Sequence, residues 1–456
     1  MKKKDPSKNT PALYHTRFFG TDGIRGEANR YPMTIDICEA LVDALAWKYC
    51  RQTTSKPLVL IGKDTRISGD IFEHALIAKF CSLGIDVTFL GVVSTPLLAQ
   101  WMQKFHAELG IMVSASHNPF SDNGIKIFKN TGLKLTDSEE LEIETLMQDK
   151  PKCHNSFGKY VGICRQQDPI PLQFYAKILN SLEKHKSTLG KIVIDAANGS
   201  LSKTTSEIFQ NFNATIINNI PNGININYSC GAAYPSALAT AVLQHQADIG
   251  IAFDGDGDRL ILADNHGNII DGDHILAILA EAENLRAGIV VSTIMANLAL
   301  EHYLATRGLQ LLRTNVGDKY IAEHVLKSNA KIGGEPSGHI ILKDHLPTGD
   351  GLFCALKILE YIAKSGRSLA QLRQIFQSYP AISRNIKVKD KSIINNKHIQ
   401  TTIQNLQQQL ATQNARLVVR PSGTESLIRI YAEGKQKQLL QNAVKQLESH
   451  LNQEEI

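Results

Sequence analysis

At 456 residues, with 43% hydrophobic and 20% charged positions, the chain can bury about three cores of ~150 residues each, which excludes a disordered or fibrous class. A net charge of +5 over that length leaves no basic stripe for nucleic acid, and no apolar run nears the ~20 residues of a membrane span. Seven scattered cysteines, odd in number and never in CxxC spacing, argue against a disulfide framework or zinc site and point to a reducing cytoplasm.

The first 16 residues, MKKKDPSKNTPALYHT, are polar, lack the apolar h-region of a signal peptide and read as a mobile tail. FGTDGIRG (19–26) follows, where Arg25 either lines a site or belongs to a tight turn. PLVLIGKDTR (57–66) is strand-like. Behind it Ser68 is placed to cap a helix whose Ile71, Phe72, Ala75, Leu76 and Phe80 recur at helical spacing, with Gly84 to end it. A second strand-like run, IDVTFLG, leads to AELGIMVSASH (107–117).

SASHNPFSDNGIKIF (114–128) offers Ser114, Ser116, His117 and Lys126. A hydrolase elbow would need G-x-S-x-G, and adjacent Ser116 and His117 are poorly placed as a triad pair. Asn123–Gly124 is a turn signal that would send IKIF back along the preceding strand and return Lys126 near Ser116. The same stretch also suits a plain surface loop.

The pattern then recurs. KIVIDAANGS (191–200), NATIINN and ADIGIAFDGDGD (247–258) repeat the order, as do GIVVSTIMAN (288–297), LQLLRTNV and AKIGGEPSGH (330–339). Three related α/β units are expected, with SASHNP, DGDGDR and GEPSGH at equivalent strand ends facing one cleft. FDGDGDR (253–259) sets Asp254, Asp256 and Asp258 apart by single glycines. Unit charges ~4 Å apart repel by about 4 kcal/mol at an effective dielectric of 20, so a hard divalent cation such as Mg²⁺ is expected among them. An EF-hand would need Gly and Glu where Arg259 and Asn265 stand. GGEPSGHI (333–340) presents Glu335, Ser337 and His339, suited to sugar hydroxyls or to an ordinary glycine-rich loop.

From about Pro380 the composition changes: NIKVKD, a Gln-rich helix, ARLVVR, LIRIYAEG and a final helix suggest a smaller α+β domain. Within it VVRPSGTESLIRI (418–430) sets Ser422, Gly423 and Thr424 between Arg420 and Arg429, a grip for a phosphate or a hairpin turn. Linkers are expected at 149–160, 264–273 and 378–383, giving units at 17–157, 158–264, 265–380 and 381–456.

Together FGTDGIRG, SASHNPFSDNGIKIF, FDGDGDR, the GGE-x-SGH loop and RPSGTE resemble the α-D-phosphohexomutase family, in order, from about residue 17 to the end. The resemblance implies four domains around a central cleft, with the last closing over it. It implies that Ser116 is a phosphoserine and that Asp254, Asp256 and Asp258 hold one Mg²⁺ together with the seryl phosphate. Lys126 and His117 would assist proton transfer with Arg25 nearby, and Glu335 and Ser337 would hold sugar hydroxyls. Arg420, Ser422, Gly423, Thr424 and Arg429 would hold the distal phosphate. The implied reaction converts glucosamine 6-phosphate to glucosamine 1-phosphate through a hexosamine 1,6-bisphosphate, for UDP-N-acetylglucosamine and the cell wall. A phosphosugar is the implied partner, and the enzyme would be a cytoplasmic monomer or homodimer. Pro336 and Ser426 depart from the residues most common in the family's amino-sugar branch. The rival readings are a glucose or mannose phosphate as substrate, a sugar phosphatase with an aspartyl nucleophile at Asp254, and a non-catalytic phosphosugar sensor.

Overall fold

The computed structural model describes residues 18–20, 22–51, 56–149, 151, 153–168, 171–422 and 426–454. The expected tail at 1–16 lies outside them, as do Gly423 and Thr424 of the expected phosphate grip.

One strand pattern is built three times. Leu58–Lys63 pairs in parallel with Asp86–Val92 and Leu109–Val113, and Asp122–Lys129 returns antiparallel along Leu109–Val113. Ile192–Asp195 is flanked likewise by Ala214–Ile217 and Ile249–Phe253, with Leu260–Asp264 returning. Gly288–Thr293 is flanked by Leu309–Thr314 and Ile332–Gly334, with Ile340–Leu342 returning. Strands Leu109–Val113 and Ile249–Phe253 are buried throughout, which is why they read as unbroken apolar runs instead of alternating ones. In each unit the chemistry-rich loop joins the last parallel strand to its antiparallel return, so the three loops occupy equivalent positions.

Several local expectations need correction. Asn123–Gly124 is no turn: both residues lie inside strand Asp122–Lys129, opposite Gly26 and Arg25 of strand Ile24–Glu27. The chain reverses earlier, within 114–121, and glycine is needed at 124 because a Cβ there would stand 2.6 Å from the Ser114 carbonyl oxygen. Ser68 does not cap the helix Gly69–Ser82; its hydroxyl accepts from the Asn123 side chain at 2.9 Å. Phe72, Leu76 and Phe80 are buried as the spacing predicts, but Ile71 points outward at 38% exposure. The first sheet also runs past residue 157, since Cys164–Gln166 forms its far edge. Residues 264–268 are a hairpin turn of the second sheet, whose edge strand is Ile269–Ile270.

The C-terminal unit is a three-stranded antiparallel sheet, Ala381–Lys387, Leu427–Glu433 and Arg416–Pro421, with Leu427–Glu433 central. Helices Lys397–Ala411 and Lys437–Glu454 cover it, burying Ile399, Leu406, Leu440 and Leu447 in a core of its own.

The three larger units meet at a buried carboxylate. Asp350 caps helix Gly351–Ser365 through the Phe353 amide at 2.9 Å. It also accepts from the Tyr175 hydroxyl at 3.2 Å, from the Gln100 amide at 3.2 Å and lies 3.1 Å from His345 Nε2. Tyr175 lies on helix Pro171–Glu183 and Gln100 on helix Thr95–Phe105, so one side chain joins three units. Replacing it by alanine removes a helix cap and strands two buried donors, a loss of about 3 kcal/mol. Asp350→Ala is therefore expected to lower the calorimetric midpoint by roughly 6–12 °C. An unchanged midpoint would show that the junction does not depend on this carboxylate.

Candidate active site

Ser116 stands in the left-handed region at φ +51°, a conformation that costs a non-glycine residue about 1–2 kcal/mol. A buried cation holds it there. Arg66 pairs with Asp64 at 2.9 Å, both side chains fully enclosed. Its guanidinium donates to the carbonyls of Ser116 and Asn118 at 2.9 Å, of Asp122 at 3.0 Å, and of Pro119. Asn227, from the second unit, donates to the Ser116 carbonyl at 2.8 Å. The Ser116 amide donates to Ser114 Oγ at 2.9 Å, and Ser114 in turn donates to Asp64 at 2.7 Å.

The loop carrying Asp254, Asp256 and Asp258 presses against this loop; a Cβ on Gly255 would meet the Ser116 carbonyl oxygen at 2.7 Å. Ser116 Oγ donates to Asp254 Oδ2 at 2.6 Å. Lys126 Nζ lies 2.7 Å from Asp256, 3.4 Å from Asp258 and 3.0 Å from Asp22. All three aspartates are buried, and one oxygen of each lies within 4.8 Å of the others. Asp256 Oδ1 and Asp258 Oδ1 are enclosed with no hydrogen-bond partner. Converging hard oxygens with unfilled lone pairs fit a divalent cation. Burial, then Asp258 and Asp256, push the Asp254 carboxyl up to about 8. Burial opposes charge on Lys126, but Asp22, Asp256 and Asp258 outweigh it and hold the ammonium well above its ordinary range.

The third loop joins them. Arg259 bridges to His339, and the Leu260 amide donates to the Gly338 carbonyl at 3.0 Å. His339 Nδ1 lies 3.5 Å from Asp258 and its Nε2 3.9 Å from Asp318. Burial disfavours its imidazolium, but Asp258 and Asp318 prevail and raise its pKa. Glu335 accepts from the Gly317 amide at 3.2 Å, and burial raises its carboxyl. Ser337 Oγ is enclosed without a partner, free to meet a hydroxyl. A cavity of about 510 Å³ opens beside His339, between residues 129–138 and helix Asp318–Lys327.

Arg25 donates to the Ala115 carbonyl at 3.2 Å and pairs with Asp22, which brings its guanidinium beside the serine loop. His117 Nδ1 is 3.4 Å from Ser116 Oγ, and burial, Arg259 and Arg25 lower its pKa to about 4. On the C-terminal sheet Arg420 and Arg429 are register partners, and Arg429 donates to Ser422 Oγ at 3.3 Å. Burial and Arg429 lower the Arg420 pKa, as two facing guanidiniums must. Among the described residues, the hydrogen-bond partners of the serine and the triad belong to the first three units, and none of them is Arg420 or Arg429.

Several contributors carried no readable signal. Asp64, Arg66, Asp22, Thr95, Asn227, Lys134 and Asp318 meet the site from far along the chain, and no spacing announces them. Arg259 was visible at the end of FDGDGDR; among the described residues its guanidinium has no hydrogen-bond or ion-pair partner.

Profiles of the phosphoglucomutase/phosphomannomutase family match along the chain: alpha/beta/alpha domain I over residues 16–153, domain II over 172–267, domain III over 271–379 and the C-terminal domain over 384–449. A phosphoglucosamine mutase of Rhizobium johnstonii is 40% identical over 94% of this chain and 97% of its own length. One of Agrobacterium fabrum is 42% identical over 92% and 94%. Among solved structures, a phosphoglucomutase (parafusin) of Paramecium superposes with TM-score 0.78 at 19% identity over 96% of this chain and 95% of its own. An Aspergillus fumigatus N-acetylphosphoglucosamine mutase, in complex with GlcNAc-6P and magnesium, superposes at 0.67 and 16% identity over 97% and 96%.

With the Asp254 carboxyl near 8, a cation entering the triad displaces a proton below that pH. Mg²⁺ affinity of the intact chain, measured by isothermal titration, is expected to tighten by up to about tenfold per unit as pH rises from roughly 6 to 8, then level off. An affinity flat across that window would show that Asp254 is already ionised.

Proposed function

The chain belongs to the phosphoglucomutase/phosphomannomutase family, and on that premise we propose that it interconverts glucosamine 6-phosphate and glucosamine 1-phosphate through a phosphoserine at Ser116 and a 1,6-bisphosphate intermediate. The observation that carries this reading is the Ser116 hydroxyl, 2.6 Å from Asp254 in a triad with two unpartnered carboxylate oxygens. Mg²⁺ held by Asp254, Asp256 and Asp258 with the seryl phosphate would supply Lewis-acid neutralisation of the phosphoryl charge.

The chain's own groups do the rest. The phosphoryl leaves Ser116 Oγ as a bond forms from a sugar hydroxyl oxygen. Lys126, held as ammonium by its carboxylates, neutralises the Oγ that is left behind. His117 stays neutral and lies 3.4 Å from Oγ, within reach to relay the proton that the sugar hydroxyl loses onto the Oγ that the phosphoryl leaves, so that Ser116 ends as a hydroxyl. Arg25 and Arg259 face the same loop and neutralise the phosphoryl oxygens. Ser337 and Glu335 orient the sugar, while Arg420, Ser422 and Arg429 grip the far phosphate. The second half runs the same step in reverse from the other end of the turned bisphosphate.

The amino sugar is assigned because relatives sharing 40–42% of their residues along the whole chain are phosphoglucosamine mutases. Pro336 is compatible with it. That loop is fixed by backbone bonds, Glu335 amide to His339 carbonyl and Gly338 amide to Glu335 carbonyl, both 2.9 Å, and Pro336 still accepts from Gly272 at 3.0 Å. The phosphatase alternative is disfavoured because the relatives that match along the whole chain are phosphoglucosamine mutases. We place the enzyme in the cytoplasm; all seven cysteines are free, and among the described residues no helix is long and apolar enough to cross a membrane.

Initial rates with Mg²⁺ and a trace of hexose 1,6-bisphosphate, on glucosamine, glucose and mannose 6-phosphates side by side, test the reading. Glucosamine 6-phosphate is expected to lead by orders of magnitude in kcat/KM, and Ser116→Ala to lose at least ~10⁴-fold. A lead for glucose or mannose overturns the sugar alone; no isomerisation of any of them overturns the chemistry.

A further inference from the structure

The metal loop belongs to the second unit, yet the side chain in its middle is set by the first. Asp256 Oδ2 accepts from the Thr95 hydroxyl and, at 2.7 Å, from Lys126. The Asp256 carbonyl accepts from the Thr95 amide at 2.9 Å. One residue, the first of helix Thr95–Phe105, therefore holds both the backbone and the carboxylate of Asp256. Thr95 and Asp256 are both fully buried, so no water competes for that bond. The seating is tight as well: a Cβ on Gly257 would stand 3.2 Å from the Ser94 Cβ, so the loop rests directly on the start of this helix.

The geometry has a consequence for the metal. With Oδ2 saturated by a hydroxyl and an ammonium, Asp256 has Oδ1 left, and that atom is the enclosed, unpartnered one. A carboxylate free to rotate would expose either oxygen, or turn both toward Lys126. A carboxylate pinned through Oδ2 offers one lone-pair set in one direction.

Resting on the reading that the triad holds a metal, we propose that Thr95 is a positioning residue for the cation. Its hydroxyl fixes the Asp256 carboxylate so that Oδ1 faces the ion. The first unit thereby completes a metal centre whose ligating aspartates lie in the second. Thr95 is fully buried with its hydroxyl on Asp256, so its loss shows first in metal affinity.

The test is Mg²⁺ titration of the intact protein by calorimetry, repeated with Mn²⁺ by electron paramagnetic resonance, on wild type, Thr95→Val and Thr95→Ser. Valine keeps the β-branch and the amide bond to Asp256 but lacks the hydroxyl; serine keeps the hydroxyl. Valine is expected to weaken both ions by about 10–100-fold, the usual consequence of losing such an outer partner, and serine to stay near wild type. At saturating Mg²⁺ the valine variant should recover most of its kcat, moving its deficit into the Mg²⁺ requirement. Thr95→Ala removes the same donor without added bulk and must show the same weakening should valine fail to pack. Wild-type affinity in the hydroxyl-free variants, or equal weakening in serine and valine, overturns the assignment. A wild type that binds neither ion overturns the metal reading itself.

Discussion

Three buried carboxylates within ligand distance of one another are the constraint on which the rest of this structure depends. Burial disfavours each charge and proximity disfavours them jointly, so the fold must bring cations to them. It brings Lys126 from the first sheet, and behind it Asp22, Arg25 and Lys134, alternating in sign outward from the triad. On the other flank His339 and Asp318 continue the alternation, and Lys134 pairs with Asp318 as well as Asp22. The chain of charges thus closes from the first unit to the third around the aspartates of the second. What remains uncompensated is a pair of enclosed carboxylate oxygens, Asp256 Oδ1 and Asp258 Oδ1, which fit the metal proposed there.

Such an arrangement requires three loops to meet, and the repeated strand pattern supplies the meeting. Each unit places a parallel strand, a loop and an antiparallel return in the same order, so each loop emerges at the same place on its own sheet. Packing three such sheets side by side gathers Ser116, the three aspartates and the Glu335–His339 loop from three distant stretches of the chain. Asp350 shows how the packing is fixed: its carboxylate caps a helix of the third unit while taking donors from the first and second.

How much of this was legible in the sequence follows from distance along the chain. FDGDGDR was readable because all three carboxylates lie within five residues, where charge repulsion alone demands an explanation. The threefold repeat was readable because AELG, ADIG and AKIG open the same step in each unit, each after a strand-like run upstream. Asn123–Gly124 misled because its turn propensity is a local preference, overridden by pairing with Arg25 and Gly26. Ser68 misled likewise: its hydroxyl found Asn123, 55 residues away, in place of the helix amides. Arg66 was invisible as the holder of the serine loop, since nothing near DTR hints that its guanidinium will collect four carbonyls some 50 residues on. Local chemistry is written locally; the groups that aim it are not.

On the proposed function, that division also bears on why the proposed phosphate grip sits on a separate module. In the proposed reaction one end of the sugar must be held against Ser116 while the other is gripped, and then the two must exchange. A site in which both ends were fixed by the same rigid charge network would bind the bisphosphate but resist turning it. Here the reacting end is built by three units that share buried charges. Arg420, Ser422 and Arg429 lie on a sheet with its own core, docked to the third unit through the Leu298 amide on Glu433 and Arg416 on the Ala296 carbonyl. Glu433 is buried and also pairs with Arg416, so this seam is a small polar cluster apart from the charges around the triad. On the proposed function, the end that reacts lies in the shared charge network and the end that is gripped lies on a module with a core of its own.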